Sequence, residues 1–155
     1  MSHLNAHCHL ELSHLKGAIP AGLPFVAWLE RIVALKRAAN PADLETAARA
    51  ALRRMVDTGT TVLLDIDSLG ITPGIVRSQD AALSQLQALT IFREIIRFDP
   101  AGAGEFAEAE SAGLPRKIGA VDYGLSPHAP YTTSESLLCA AAHAAAASSR
   151  WLCIH

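Results

Sequence analysis

An α/β fold built on a parallel sheet is what this sequence predicts, and three observations carry it. Short β-branched and apolar runs alternate with helical stretches along the chain. The alternation repeats at roughly 30 residues, the length of a strand–crossover–strand unit, so the strands lie parallel with right-handed crossovers. No repeat, low-complexity linker or charge run divides the 155 residues, which suit a single core.

Each element has its own signal. "HLNAHCH", His3 to His9, reads as a first strand end. Leu23 to Ala39 carries apolar residues at Phe25, Trp28, Leu29, Ile32 and Val33, a helical spacing, and Pro24 suits a first turn. That stripe is expected to pack in the core. Asn40-Pro41 ends this helix and starts the next: Asn40 can cap, Pro41 fits the first helical position, Asp43 and Glu45 favour the N-terminal end, and Gly59 suits the stop. "TTVLLDID", Thr60 to Asp67, reads as a buried strand. A helix is expected from about Pro73 to Leu86, a strand from Ala88 to Phe98 whose second half also suits a helix, a short helix from Ala101 to Ala112, and a strand from Ala120 to Ser126. Thr132 and Glu135 have capping-box spacing ahead of an Ala-rich helix that runs to about Ser148. "WLCIH", Trp151 to His155, reads as a fifth parallel strand.

Composition removes several classes of function. Net charge is −2 with no Lys/Arg cluster, which argues against nucleic acid or an anionic membrane as partner. Aromatic residues are only 5%, too few for a base-stacking platform. The three cysteines, Cys8, Cys139 and Cys153, are odd in number and contain no C-x-x-C, so a disulfide framework is not expected and a reducing, cytoplasmic setting is. The N-terminus has no signal-peptide pattern, and no apolar run reaches membrane-span length. No Gly-rich phosphate loop follows any strand, which weakens a nucleotide-binder reading.

The chemistry-bearing residues gather at strand ends. His7 and His9 stand at i and i+2, so a strand turns both imidazoles to one side and Cys8 to the other. Such a pair is half of a zinc or iron site, although two capping histidines near a terminus would look the same. "LSPHAPYTTS" places His128 directly after a predicted strand, stiffened by Pro127 and Pro130, on the edge where parallel α/β folds build their sites, although a loop histidine that only hydrogen-bonds its turn would look the same. His155 ends the fifth predicted strand. The remaining histidines do not share the pattern: His3 is near the start, His14 lies past the first strand, and His143 sits in the Ala-rich helix, facing solvent. Glu11 either reaches the pocket or makes a loop salt bridge or cap. Glu94 lines the mouth or points at the outer helices. Asp65 and Asp67 are structural hydrogen-bond acceptors or supports for the site residues.

The segments "NAHCHLELSHLKG", "DTGTTVLLDIDS", "FREII", "GLSPHAPYTTSESLL" and "CIH", in that order, resemble the amidohydrolase superfamily. The likeness is to its deaminase and chlorohydrolase branch, which includes cytosine, guanine, S-adenosylhomocysteine and aminofutalosine deaminases and triazine hydrolases. The resemblance covers essentially the whole chain. It implies a (β/α)8 TIM-type barrel, here partial, with about five parallel strands and intervening helices over 1–155, strands six to eight and a flanking β-sandwich being absent. It implies one divalent ion, Zn2+ or Fe2+, held by His7, His9 and His155, with His128 contacting substrate; Glu94, from its own place in the third strand, is the other candidate for substrate binding. The proton-shuttling glutamate is expected beyond residue 155, so no catalytic residue is assigned within the chain. "MSHL" stands where the family has a "PGLI"-like lead-in.

The carboxylated lysine of dinuclear members has no counterpart: Lys16, Lys36 and Lys117 all lie elsewhere, which favours a mononuclear site. The other zinc deaminase class does not fit, since P-C-x-x-C is absent. The expected reaction is hydrolytic deamination of a small heterocyclic amine; cleavage of C–Cl or amide bonds, and an inactive barrel fragment, are the alternatives. The chain alone is expected to be a truncated form with little or no activity, prone to self-association through open barrel edges.

Overall fold

The computed structural model describes residues 2–154. Four strands run parallel: β1 (His3–Cys8), β2 (Thr60–Asp67), β3 (Ala88–Ile95) and β5 (Val121–Pro127). A two-residue strand, β4 (Lys117–Ile118), turns back antiparallel on β5, giving the order β1-β2-β3-β5-β4. Helices α1 (Phe25–Ala38), α2 (Pro41–Asp57), α3 (Ile71–Arg77), α4 (Ala103–Ala112) and α5 (Glu135–Ala147) fill the crossovers. None of them is long and apolar enough to cross a membrane.

Alternation along the strands divides the sheet into two faces. Leu63, Leu89, Ile91, Val121 and Tyr123 pack on α2 and α3, with Ala48, Leu52 and Ile75 among the buried partners. Ile95 and Leu125 pack on α4 and α5 through Ala103, Ala107, Leu137 and Ala141. The small residues of α4 and α5 let these two helices approach closely. The intervening positions, Phe92, Glu94, Gly124 and Ser126, therefore face the opposite side. Register pairs Phe92 with Gly124 and Glu94 with Ser126.

Several expectations are met and several are corrected. Asn40 caps α2 as expected, its Oδ1 accepting the Ala42 amide at 2.9 Å. Gly59 ends the turn with φ 96°. The helix expected from Pro73 to Leu86 is instead α3 plus a separate 3-10 turn, Ala81–Gln85. The break has a cause. Gln79 takes φ 54°, and Asp80 leaves the helix to accept the Ala82 amide at 3.0 Å and Arg49 from α2 at 2.7 Å. The third strand stops at Ile95 rather than Phe98, leaving Ile96 and Phe98 exposed.

The cap of α5 is Ser134, not Thr132, and its Oγ accepts the Leu137 amide at 3.3 Å. The Thr132 hydroxyl is taken by His128 Nδ1 at 2.6 Å and so cannot cap. The apolar stripe of α1 is not core: Phe25 is 62% exposed and Trp28 40%, and the helix buries none of its residues. The fifth strand is reduced, among the described residues, to one parallel bridge between Leu125 and Leu152. Backbone bonds from the Leu125 amide to Trp151 O (3.0 Å) and from the Cys153 amide to Leu125 O (2.9 Å) hold it. Gly124 makes that approach possible, because a Cβ there would lie 2.6 Å from Trp151 O and 2.8 Å from the Phe92 ring.

Candidate functional site

The site gathers at the C-terminal ends of β1, β2, β3 and β5. Along β1 the register slips between Asn5 and Cys8, three steps on this strand matching two on β2. A bulge of this kind re-aims the residues beside it, and Asn5 Oδ1 braces it by accepting the His7 amide at 3.2 Å. The backbone stays extended through His9 (φ −127°, ψ 89°). His7 and His9 consequently share a side, their ring centroids 5.2 Å apart and their planes at 71°. Cys8 points the other way, its Sγ 3.4 Å from Asp65 Oδ1. Burial raises the Cys8 thiol far above the ordinary range, and the Asp65 charge adds to it, so the thiol stays protonated. Burial lowers His9 to about 4, with His7 contributing, so the ring is neutral at physiological pH.

Glu11 follows in the 3-10 turn Leu10–Leu15 and is fully buried. The structure answers its open reading with both alternatives at once. It reaches the site and makes a salt bridge, accepting from Lys36 Nζ of α1. It also accepts from Ser68 Oγ at 2.9 Å, the Ser68 amide at 2.9 Å and the Leu69 amide at 2.8 Å. Burial opposes its charge, but hydrogen bonds from Asp67, Lys36 and Leu69 outweigh burial and hold it below the usual carboxylate range. Lys36 also donates to Ser68 Oγ at 2.6 Å.

Asp65 and Asp67 lie on the helix-facing side of β2, in register with Ile91 and Arg93. Their role is structural. Asp65 accepts the Leu10 amide at 2.8 Å and Thr72 Oγ1 at 2.5 Å, tying the segment after β1 to α3. Asp67 accepts the amides of Leu69, Gly70 and Thr72 at 2.7 to 2.9 Å, closing the loop that ends β2. Burial raises Asp65 to about 7, and burial together with Glu11 raises Asp67 to about 6.

Glu94 stands near the end of β3 on the site face, largely buried, and burial raises it to about 7. His128 follows β5. Its amide donates to Ile95 O at 3.1 Å, its ring is fixed by Thr132, and burial lowers its pKa. Ligand atoms of His9, Glu11 and Glu94 all lie within 4.8 Å of one another. The site thus brings together His7, His9 and Glu94, with His128 near enough to influence the charge of His9. His155, the third expected ligand, lies outside the described residues. His143 is exposed on α5, and His14 bonds only locally, Nδ1 to Glu11 O at 2.9 Å. Sequence reasoning missed Lys36 and Ser68 as site residues. Lys36 enters from a crossover helix, where spacing carries no signal; Ser68 is one alternation past Ile66 on the site face, a position the strand period could have flagged.

The profile of the amidohydrolase family matches residues 3–155. No curated protein matches the chain in sequence. Among solved structures, that of Helicobacter pylori aminofutalosine deaminase in complex with methylthio-coformycin superposes with a TM-score of 0.74 at 21% identity. The match covers 98% of this chain and 36% of that chain, so the chain spans about a third of the length of the deaminase it resembles. The shared fold is part of a (β/α)8 barrel.

Proposed function

The chain belongs to the amidohydrolase family, and from that premise we propose that residues 1–155 are the first strands of a metal-dependent hydrolase barrel that deaminates an amino-substituted heterocycle. The observation that carries the reading is the convergence of His7 and His9 on one side of β1, beside Glu11, Glu94 and His128. The donor set fits a divalent cation. His9 is held neutral, the form in which imidazole binds metal, and carboxylates stand within reach of it.

His7 and His9 would hold the ion, with His155 as the third imidazole. Zn2+ or Fe2+ there would supply Lewis acidity towards water near neutral pH. The remaining work belongs to side chains. Glu94, buried on the site face beside His9, stands where it can hydrogen-bond a bound ring. His128, locked by Thr132, orients the ring at the exit of β5. The likeness to aminofutalosine deaminase supports an amino-substituted ring as substrate class.

Elemental analysis of the purified chain tests the reading. About one equivalent of zinc or iron is expected, lost in the His7→Ala/His9→Ala double variant; a wild-type chain holding no more metal than that variant would overturn it. On the same samples, an aminopurine or aminopyrimidine should raise the melting temperature of the metal-loaded chain, and His128→Ala should remove the shift. Ammonia release by residues 1–155 alone is expected to stay at the level of the double variant.

A further inference from the structure

Helix α1 shows an apolar stripe to solvent, and one contact fixes which way that stripe looks. Lys36 stands three, four, seven, eight and eleven positions after Val33, Ile32, Leu29, Trp28 and Phe25, so it shares their side of the helix. Its ammonium pairs with the buried Glu11 and donates to Ser68 Oγ at 2.6 Å, at the C-terminal ends of β1 and β2. The stripe is therefore turned towards the site end of the sheet. That end carries an apolar rim of its own. Leu69, Ile96 and Tyr131 follow β2, β3 and β5, and all three are exposed. The Tyr131 ring stands at 85° to that of His128, with centroids 5.8 Å apart.

Exposure along α1 is graded. Phe25 and Val26 are 62% and 64% exposed, Val33 only 38%, so the Lys36 end is the fixed one. The other end hangs on residues 16–24, where Gly17 and Gly22 take φ 76° and 81°. Glycine enters and leaves such torsions freely, which suits a hinge. From Lys36 to Trp28 the helix runs about 12 Å at 1.5 Å per residue. From the end of β2 to that of β5, two strand spacings away, is about 10 Å. The stripe is thus long enough to span the rim.

We propose that α1 is a lid on this site: pivoting on the Lys36–Glu11–Ser68 contact, it lays Phe25, Trp28 and Leu29 on Leu69, Ile96 and Tyr131 and covers His7, His9 and His128. The structure holds the open arrangement. Closure removes apolar surface on both sides from water. Against that gain stands the desolvation of the imidazoles beneath, so the empty site visits the closed form rather than staying in it. The inference concerns access alone and holds whichever ion or ring occupies the site.

Disulfide trapping tests it. In a Cys139→Ser/Cys153→Ser background only Cys8 remains, its thiol held protonated. There Trp28→Cys/Tyr131→Cys should cross-link within the chain under oxidised glutathione. Arg31→Cys/Tyr131→Cys, with its thiol on the other face of α1, should stay reduced. The cross-linked form should react several-fold more slowly with diethylpyrocarbonate at His7 and His9 than its reduced form, read by mass spectrometry. No cross-link in the first pair, equal yields from both pairs, or unchanged histidine reactivity would each overturn the proposal. The native chain supplies a second measurement that needs no cysteine variant to fold. Amides of Phe25–Ala38 should exchange hydrogen several-fold faster than those of Pro41–Asp57. Equal protection would make α1 part of the same cooperative unit as α2 and would sink the lid.

Discussion

Helices α1 and α2 follow one another with only Ala39 and Asn40 between them, yet they are held in different ways. Helix α2 buries Leu44, Ala48, Ala51, Leu52 and Val56 against the sheet. Helix α1 buries nothing, shows Phe25, Val26, Trp28, Leu29 and Val33 to solvent, and enters the structure through Lys36 and the buried Glu11. An apolar stripe at helical spacing therefore specifies a helix in both cases but specifies its neighbour in only one. Helix α1 itself is anchored by charge and hydrogen bonds at the site, while the turn before it buries Leu10 and Leu15; the segment from Pro41 to Asp57 is anchored by area removed from water.

The comparison can be broken most forcefully from the apolar side. Leu52 is wholly buried in the cluster beneath β2 and β3. Leu52→Ala should cost about 3 kcal/mol of stability through lost transfer energy and a residual cavity. Urea unfolding midpoints at unchanged slope would measure it, and a loss below about 1 kcal/mol would show that α2 is no better anchored than α1.

The polar anchor should instead respond to pH. Asp65 holds the Leu10 amide at the root of the α1 segment, and burial raises its carboxyl from 3.8 to about 7. The folded state binds the extra proton at Asp65, so this group's contribution to stability is greatest below about 4 and is lost as pH rises through about 7, against the opposite trend of His9 and Glu11, whose values the fold lowers. Its slope is at most about 1.4 kcal/mol per pH unit. Asp65→Asn, which keeps an acceptor for Leu10 and can donate to Thr72, should flatten the stability–pH curve between pH 4 and pH 7 (approximately the span of the shift). An unchanged slope in that variant would assign it to Asp67 and Glu94 alone, whose raised values act in the same direction.

The smallest effect belongs to the exposed stripe. Trp28, stacked on Phe25 at 5.9 Å but open to solvent, should tolerate Trp28→Ser with a change of no more than about 0.5 kcal/mol. A loss comparable to that of Leu52→Ala in the same denaturation series would mean that α1 packs against something in solution.

The same contrast marks what was legible in the sequence. Features fixed by local period or local chemistry could be read: the shared side of His7 and His9, the Asn40–Pro41 junction, the position of His128 after a strand. Features fixed by a distant partner could not. Thr132 looked like a cap, but His128 had taken its hydroxyl. The helix after Pro73 looked continuous, but Arg49, about thirty positions earlier in the chain, drew Asp80 out of it. Lys36 joined the site because α1 brings its basic end over Glu11, and no spacing rule connects a crossover helix to a strand end. Glu11 was readable only as one of two alternatives because its burial depends on Ser68 and Lys36 together.

The approach of Trp151 to Gly124 has a consequence for how variation in this chain should be read. The glycine is required by space, not torsion, since its φ lies outside the left-handed region where side chains are rare. A survey of backbone angles would pass over it, and a survey of helix and strand propensities would score it as a defect in β5. Alanine, the mildest substitution, would have to displace both a backbone carbonyl and a phenyl ring. In a scan of all twenty residues, position 124 should therefore tolerate one, and the variants would fail at the seam between β5 and the residues that follow α5 rather than in β5 itself.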